Sequence, residues 1–146
     1  MFNLLLILNA GCAWLMTGII WFVQIVHYPL FASTGKDAFI PYVQAHRHLT
    51  SLVVAAPMVI EIVTALMLVF LAKKDESFLC WIAFILVLAI WGCTAFGSIP
   101  CHEKLCTNGF DDGVHKLLLS SNWVRTVLWS IRAGLLSYML YRAMRF

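Results

Sequence analysis

Four apolar stretches divide this chain, about Leu4 to Val26, Leu52 to Ala72, Phe78 to Ile99 and Leu117 to Tyr141, and the clusters of charge fall between them. Each is long enough to cross a hydrocarbon core as a helix, which takes roughly 20 residues. Lipid offers no partner for a backbone amide, so a spanning run must satisfy its own hydrogen bonds. The pattern therefore predicts an all-α, integral membrane four-helix bundle. Composition agrees: 62% of the residues are hydrophobic, 12% are charged, and the mean hydropathy is +0.89. A soluble domain has roughly 45–50% apolar residues. No connection is long enough for a second domain and no repeat is visible, so residues 1–146 read as one unit.

A net charge of +3 is too small to point to a nucleic-acid partner. The partners implied are the bilayer and lipophilic small molecules dissolved in it. The N-terminus lacks the basic segment and cleavage site of a signal peptide, so the first span is expected to be retained. Four spans put both termini on one side. Lys73, Lys74, Arg142 and Arg145 face Lys36, Arg47, Lys104 and Lys116 across the bilayer, so basic residues alone barely choose an orientation. The short connection at Lys73 and Lys74, and the acidic Asp37, Glu103, Asp111 and Asp112 opposite, favour cytoplasmic termini. Cys101 and Cys106 would then lie in an external connection, where a disulfide closing a small loop is expected; free thiols and metal ligation are the alternatives. Cys12, Cys80 and Cys93 lie within spans and read as packing residues.

The polar residues inside the spans carry the functional reading. In "WFVQIVHYPL" Gln24 and His27 sit one turn apart near the end of the first span, and Pro29 is expected to end that helix. With the cytoplasmic ends aligned, His27, His46, His48 and His102 fall in one layer about 34–39 Å up the bundle, Gln24, Ser98 and Asn122 lie just beneath, and His115 opens span four on the same side. Neutral imidazoles suit zinc, iron and copper, and facing helices of bundles are where such sites are built. His46 and His48 stand about 200° apart on a helix, so only one faces inward. Measured from Glu61, that one is His46.

Glu61, in "PMVIE", is ionisable at membrane depth and so a candidate for function. The depth estimate also allows it to pair with Arg132 or Arg125. Asn122, Arg125, Trp129 and Arg132 share one face of span four, which must look into the bundle. That face reads either as a structural network or as a clamp for an anionic or carbonyl oxygen.

Together these residues resemble a family of bacterial four-span membrane proteins. The likeness runs through Gln24, His27, Tyr28 and Pro29; Phe39, Tyr42 and His46; "PMVIE"; Trp91 and Thr94; Pro100, His102 and Leu105; "GFD" at 109 to 111; and "NWVRT" at 122 to 126. A looser similarity, through Pro100-x-His102-x-x-Leu105 and Asn122 to Thr126, links the chain to the anthrone oxygenase-like membrane family, which often has Asn where this chain has His102. The resemblance implies a four-helix membrane fold, a bacterial inner-membrane location and oxidation of a lipophilic substrate.

The resulting expectation is a membrane-embedded, metal-dependent oxidoreductase. His27, His46 and His102 are the first ligands of an iron, copper or zinc ion. His115 and Glu61 are the second choices, as ligands or proton carriers. Gln24 and Asn122 would orient the imidazoles, Arg125 would stabilise negative charge, and Arg132 would help hold the cofactor. Two alternatives stand beside this reading: a haem held between His27 and His102, and a small carrier using Glu61, Arg125 and Arg132 at mid-membrane, which at this length would need a homodimer.

Overall fold

The computed structural model describes residues 1–145, and among them the only regular structure is helical. The chain makes four rods. The first combines α1 (Phe2–Phe22), a π-helical turn (Val23–His27), the short α2 (Tyr28–Leu30) and a 3₁₀ turn (Phe31–Ser33). The second is α3 (Lys36–Leu71). The third combines α4 (Lys74–Cys93), a second π-helical turn (Thr94–Ser98) and α5 (Ile99–Asn108). The fourth is α6 (Asp112–Met144). The first three rods are long and apolar enough to cross a membrane. Outward-facing Leu4, Leu52, Phe70, Phe78 and Phe96 are 66–87% exposed, the surface expected of helices solvated by lipid. α6 packs against α1, α4 and α5 and turns its polar face inward.

Local sequence sets the ends of these rods. Asp111 caps α6, its carboxylate accepting from the Val114 amide at 2.8 Å. The Glu76 carboxylate reaches back to the Lys73 amide at the start of α4. Gly109 ends α5 with φ +82°, in the left-handed region where glycine is favoured.

Both π turns precede a proline by the same interval. The carbonyls that Pro29 and Pro100 would crowd belong to Ile25 and Phe96, four residues back, and both lie inside the π turns. The widened turn accommodates the missing donor and the ring, so the helical path continues. Pro29 therefore does not end the first rod, contrary to the sequence expectation; the chain stays helical to Ser33. Likewise α3 starts at Lys36, ahead of Pro41, and runs through Pro57.

The Cys101–Cys106 disulfide is also corrected. Both residues lie on α5, not in a loop, and both are buried free thiols packed with Tyr28, Phe31 and Leu105. Five residues along a helix is about 7.5 Å of rise and roughly 140° of rotation, whereas a disulfide needs converging Cβ atoms and Cα atoms within about 7 Å.

The core is layered along the bundle. At the lower end, that of the chain termini, Ala10, Ala13, Ala83 and Ala133 let the rods approach closely around Leu68 and Leu136. Met16, Ile20, Met58, Ile90 and Trp129 fill the middle. The upper end is aromatic, with Tyr28, Phe31 and Phe39 against Leu105 and Leu118. Two polar layers lie among these apolar ones.

Candidate functional site

The lower polar layer is a closed network. Glu61 forms a buried ion pair with Arg132, its second oxygen accepting from Trp129 Nε1 at 3.1 Å. Arg132 spends Nη2 on Asn9 Oδ1 at 2.8 Å and Nε on the Ala83 carbonyl at 3.2 Å. Asn9 Nδ2 in turn donates to the Glu61 carbonyl and Thr64 Oγ1. Of the two pairings open to Glu61, the structure forms the one with Arg132. Neither residue contacts a histidine. Glu61 as a ligand or proton carrier and Arg132 as a cofactor holder are thus corrected, because each is consumed by the other.

The upper polar layer begins above Trp129. Gln24 Oε1 accepts from Asn122 Nδ2 at 2.7 Å, and Asn122 Oδ1 accepts from Arg125 Nη2. Arg125 Nη1 reaches Thr94 Oγ1, in the second π turn, at 3.5 Å. Gln24 and Asn122 therefore hold each other and Arg125. They do not orient imidazoles, as the sequence reading expected, because their partners lie one level below the rings.

The histidines occupy the next level. His27 ends the first π turn and His46 comes from α3; His27 Nε2 and His46 Nδ1 share a hydrogen bond at 2.6 Å, one ring donating to the other. Thr50, one turn along α3, also reaches His46 Nδ1, at 3.1 Å. His102, on α5, takes the Tyr28 hydroxyl on Nε2 at 2.8 Å, and its ring stands 5.5 Å from that of His46. His115, on α6, is buried with Nε2 2.8 Å from the Tyr28 carbonyl oxygen. His48 is exposed. Phe31, fully buried, packs against His27, His46, His102 and His115.

The four inward histidines thus converge on Tyr28 and Phe31, but they are used differently. His27 and His46 meet each other, whereas His102 and His115 are taken up by Tyr28. Among the described residues no three His, Cys, Asp or Glu side chains are placed to hold one metal ion. Sequence reasoning did not give Tyr28 a role, although the stretch "HYP" put it beside His27 at a helix distortion. It also missed Thr50, whose signal was its i+4 spacing from His46.

The upper layer is also unfinished. Trp91 Nε1, Ser98 Oγ, His102 Nδ1 and Arg125 Nε are buried without a hydrogen-bond partner. Buried polar groups ordinarily find one. Comparison with known proteins returns no match: no family model covers the chain, and no curated protein or solved structure aligns with it.

Proposed function

We propose that this chain is a membrane-embedded oxidoreductase acting on a lipophilic substrate at the upper polar layer, with His27 and His46 as the nucleus of a transition-metal site. The observation that carries this reading is the opposed pair of ring nitrogens 2.6 Å apart. A first-row ion with bonds of about 2.0–2.1 Å holds neighbouring nitrogens roughly 3 Å apart, so the pair is close to a spacing that fits iron, copper or zinc. Two protein nitrogens are fewer than the four ligands of a closed structural site and leave positions open for chemistry. When bound, such an ion would supply the electron or oxygen chemistry that no side chain in this layer carries.

The chain's own residues do the rest. Thr50 Oγ1 lies on the same side of the ring, 3.1 Å from His46 Nδ1, and would give up that nitrogen to a bound ion. Tyr28 and His102 share a proton along their 2.8 Å hydrogen bond, which lets the pair give one to, or take one from, a bound substrate. Arg125 places a cation where negative charge develops. The apolar middle of the bundle closes the layer to water from below. The likeness to bacterial four-span proteins supports an inner-membrane setting with cytoplasmic termini and the histidines toward the external face.

Neither alternative draws support from the geometry. Phe31 fills the space between His27 and His102 that a porphyrin would need. Glu61 and Arg132 are closed on each other and offer a carried ion no open ligand. Elemental analysis of protein purified in mild detergent tests the proposal. We expect stoichiometric metal in the wild type and in His48→Gln, and its loss in the His27→Ala, His46→Ala double variant. Metal content unchanged by the double variant would overturn the assignment.

A further inference from the structure

Arg125 is the one arginine on the inward stripe of α6 that lacks an anion. Its residue is 7% exposed, yet among the described residues its guanidinium meets only neutral groups, Asn122 Oδ1, Thr94 Oγ1 and the Tyr28 side chain, while Arg132 two turns below has Glu61. A buried cation without a counter-charge is costly, more so where the surroundings are lipid and protein. Arg125 Nε has no acceptor at all. The hydroxyl of Ser98, a residue 3% exposed, is likewise unpartnered, as is His102 Nδ1. If Tyr28 donates to His102 Nε2, the neutral ring carries its proton on Nδ1, and this atom too is a donor without an acceptor. Trp91 Nε1 can only donate. Each unfinished group in the upper layer can therefore supply a hydrogen, and what the layer lacks is oxygen carrying negative charge.

The geometry points to Arg125 as the anchor for an anionic oxygen on the lipophilic substrate, with Ser98 completing the anion's hydrogen bonds. The substrate class is thus a lipophilic acid: an apolar body that dissolves in the bilayer and an acidic oxygen that enters this layer as its conjugate base. This rests on the upper layer being a substrate site, but not on the metal, because Arg125, Ser98 and Trp91 are not among its ligands. The second π turn serves the same end. It supplies Ser98 and Thr94 from one wide turn, and the close approach of Gly97 to Ser121, where an added Cβ would stand 3.1 Å from Ser121 Cβ, keeps that turn against α6 and Arg125.

The test is the affinity of decanoate and of decanol for the full chain in discs of zwitterionic lipid, measured by titration calorimetry. Decanoate should bind at least tenfold tighter than decanol. Arg125→Gln should weaken decanoate by roughly 10- to 100-fold and leave decanol unchanged. Arg125→Lys, which keeps the charge, should recover part of the loss, and Ser98→Ala should weaken decanoate several-fold. Circular dichroism identifies any variant that fails to fold; Ser98→Ala and Arg125→Lys then carry the decision. Equal affinities for decanoate and decanol, or decanoate binding unaffected by every one of these variants, would overturn the proposal and leave Arg125 to an internal water. Suppression of decanoate binding by phosphatidylglycerol in the discs would assign the anion to a lipid headgroup and overturn the substrate class. Metal content of the histidine variants judges the redox reading separately, so either result can fail while the other stands.

Discussion

Glu61 and Arg132 in the lower layer, and Arg125 with the histidines in the upper one, pose the same physical problem and solve it differently. Both bring charge or strong dipoles into a bundle walled by lipid. Below, every group has its partner: carboxylate on guanidinium, indole on carboxylate, amide on carbonyl and hydroxyl. Above, four buried atoms have none, and a guanidinium stands without an anion. A network that closes on itself has no valence left for a ligand, whereas one that does not close is either unstable or completed from outside. The difference is the ground on which we propose structure for the lower layer and binding for the upper one.

The comparison breaks first, and by the largest margin, at Glu61. Glu61→Ala leaves Arg132 buried and unpaired, and removing one partner of such a pair costs about 3–5 kcal/mol. The variant should unfold far earlier than wild type in a denaturant titration in detergent. Arg125→Gln removes a cation that already lacks its partner and should leave the midpoint nearly unchanged. Similar losses from both variants would mean that the two layers are equally structural.

Tyr28→Phe should come next. It keeps the ring in its aromatic pocket but leaves His102 Nε2 buried without the hydroxyl, a loss of about 1–3 kcal/mol. The same variant should abolish turnover of any substrate that needs the proton while sparing decanoate binding. A variant as active as wild type would remove Tyr28 from the site and leave it only a packing residue.

His46→Gln and His48→Gln then separate function from fold with smaller effects on stability. The two residues stand on opposite sides of α3, His46 buried and His48 exposed. His46→Gln should lose bound metal, and His48→Gln should change neither metal content nor unfolding midpoint by a measurable amount. The reverse pattern would require a different set of inward residues on α3.

How far the sequence could be read follows the same division. Hydropathy alone marks the apolar rods, because each must be long enough for the bilayer, and rise per residue brings Glu61 level with Arg132 because both lie on unbroken stretches of helix. The same ruler puts His27 and His46 at one height. It fails where the helices change pitch. A π turn inserts a residue and turns everything beyond it by roughly 100°, and no hydropathy period records that. The ruler does put Gln24 and Asn122 in one layer beneath the rings, but with Gln24 inside the first such turn it could not show that the two amides bond each other and not the imidazoles, nor the passage of two rods through Pro29 and Pro100. Tyr28 follows the turn directly, which is why its hydrogen bond to His102 emerges only from the structure. Thr50 was legible in principle, four residues after His46 on one helix.

The smallest effect expected is none, and it sharpens the comparison at α5. This helix carries His102 into the upper layer, and a covalent loop between Cys101 and Cys106 would pin it there. The structure instead holds both thiols apart on the helix, buried among aromatic and aliphatic side chains. A disulfide closing a loop typically contributes about 2–4 kcal/mol, so reduction would lower the unfolding midpoint clearly if one existed. We expect the same midpoint with and without reductant. Alkylation of the protein unfolded without reductant should modify both cysteines, seen as two added labels on the peptide that contains them. In the folded protein both should resist the reagent, since neither sulfur reaches solvent or lipid freely. Protection that disappears only after reduction would mean that α5 is unwound enough to bring the two Cβ atoms together. His102 would then leave its place beside Tyr28, and the open layer would have to be redrawn around a stapled loop.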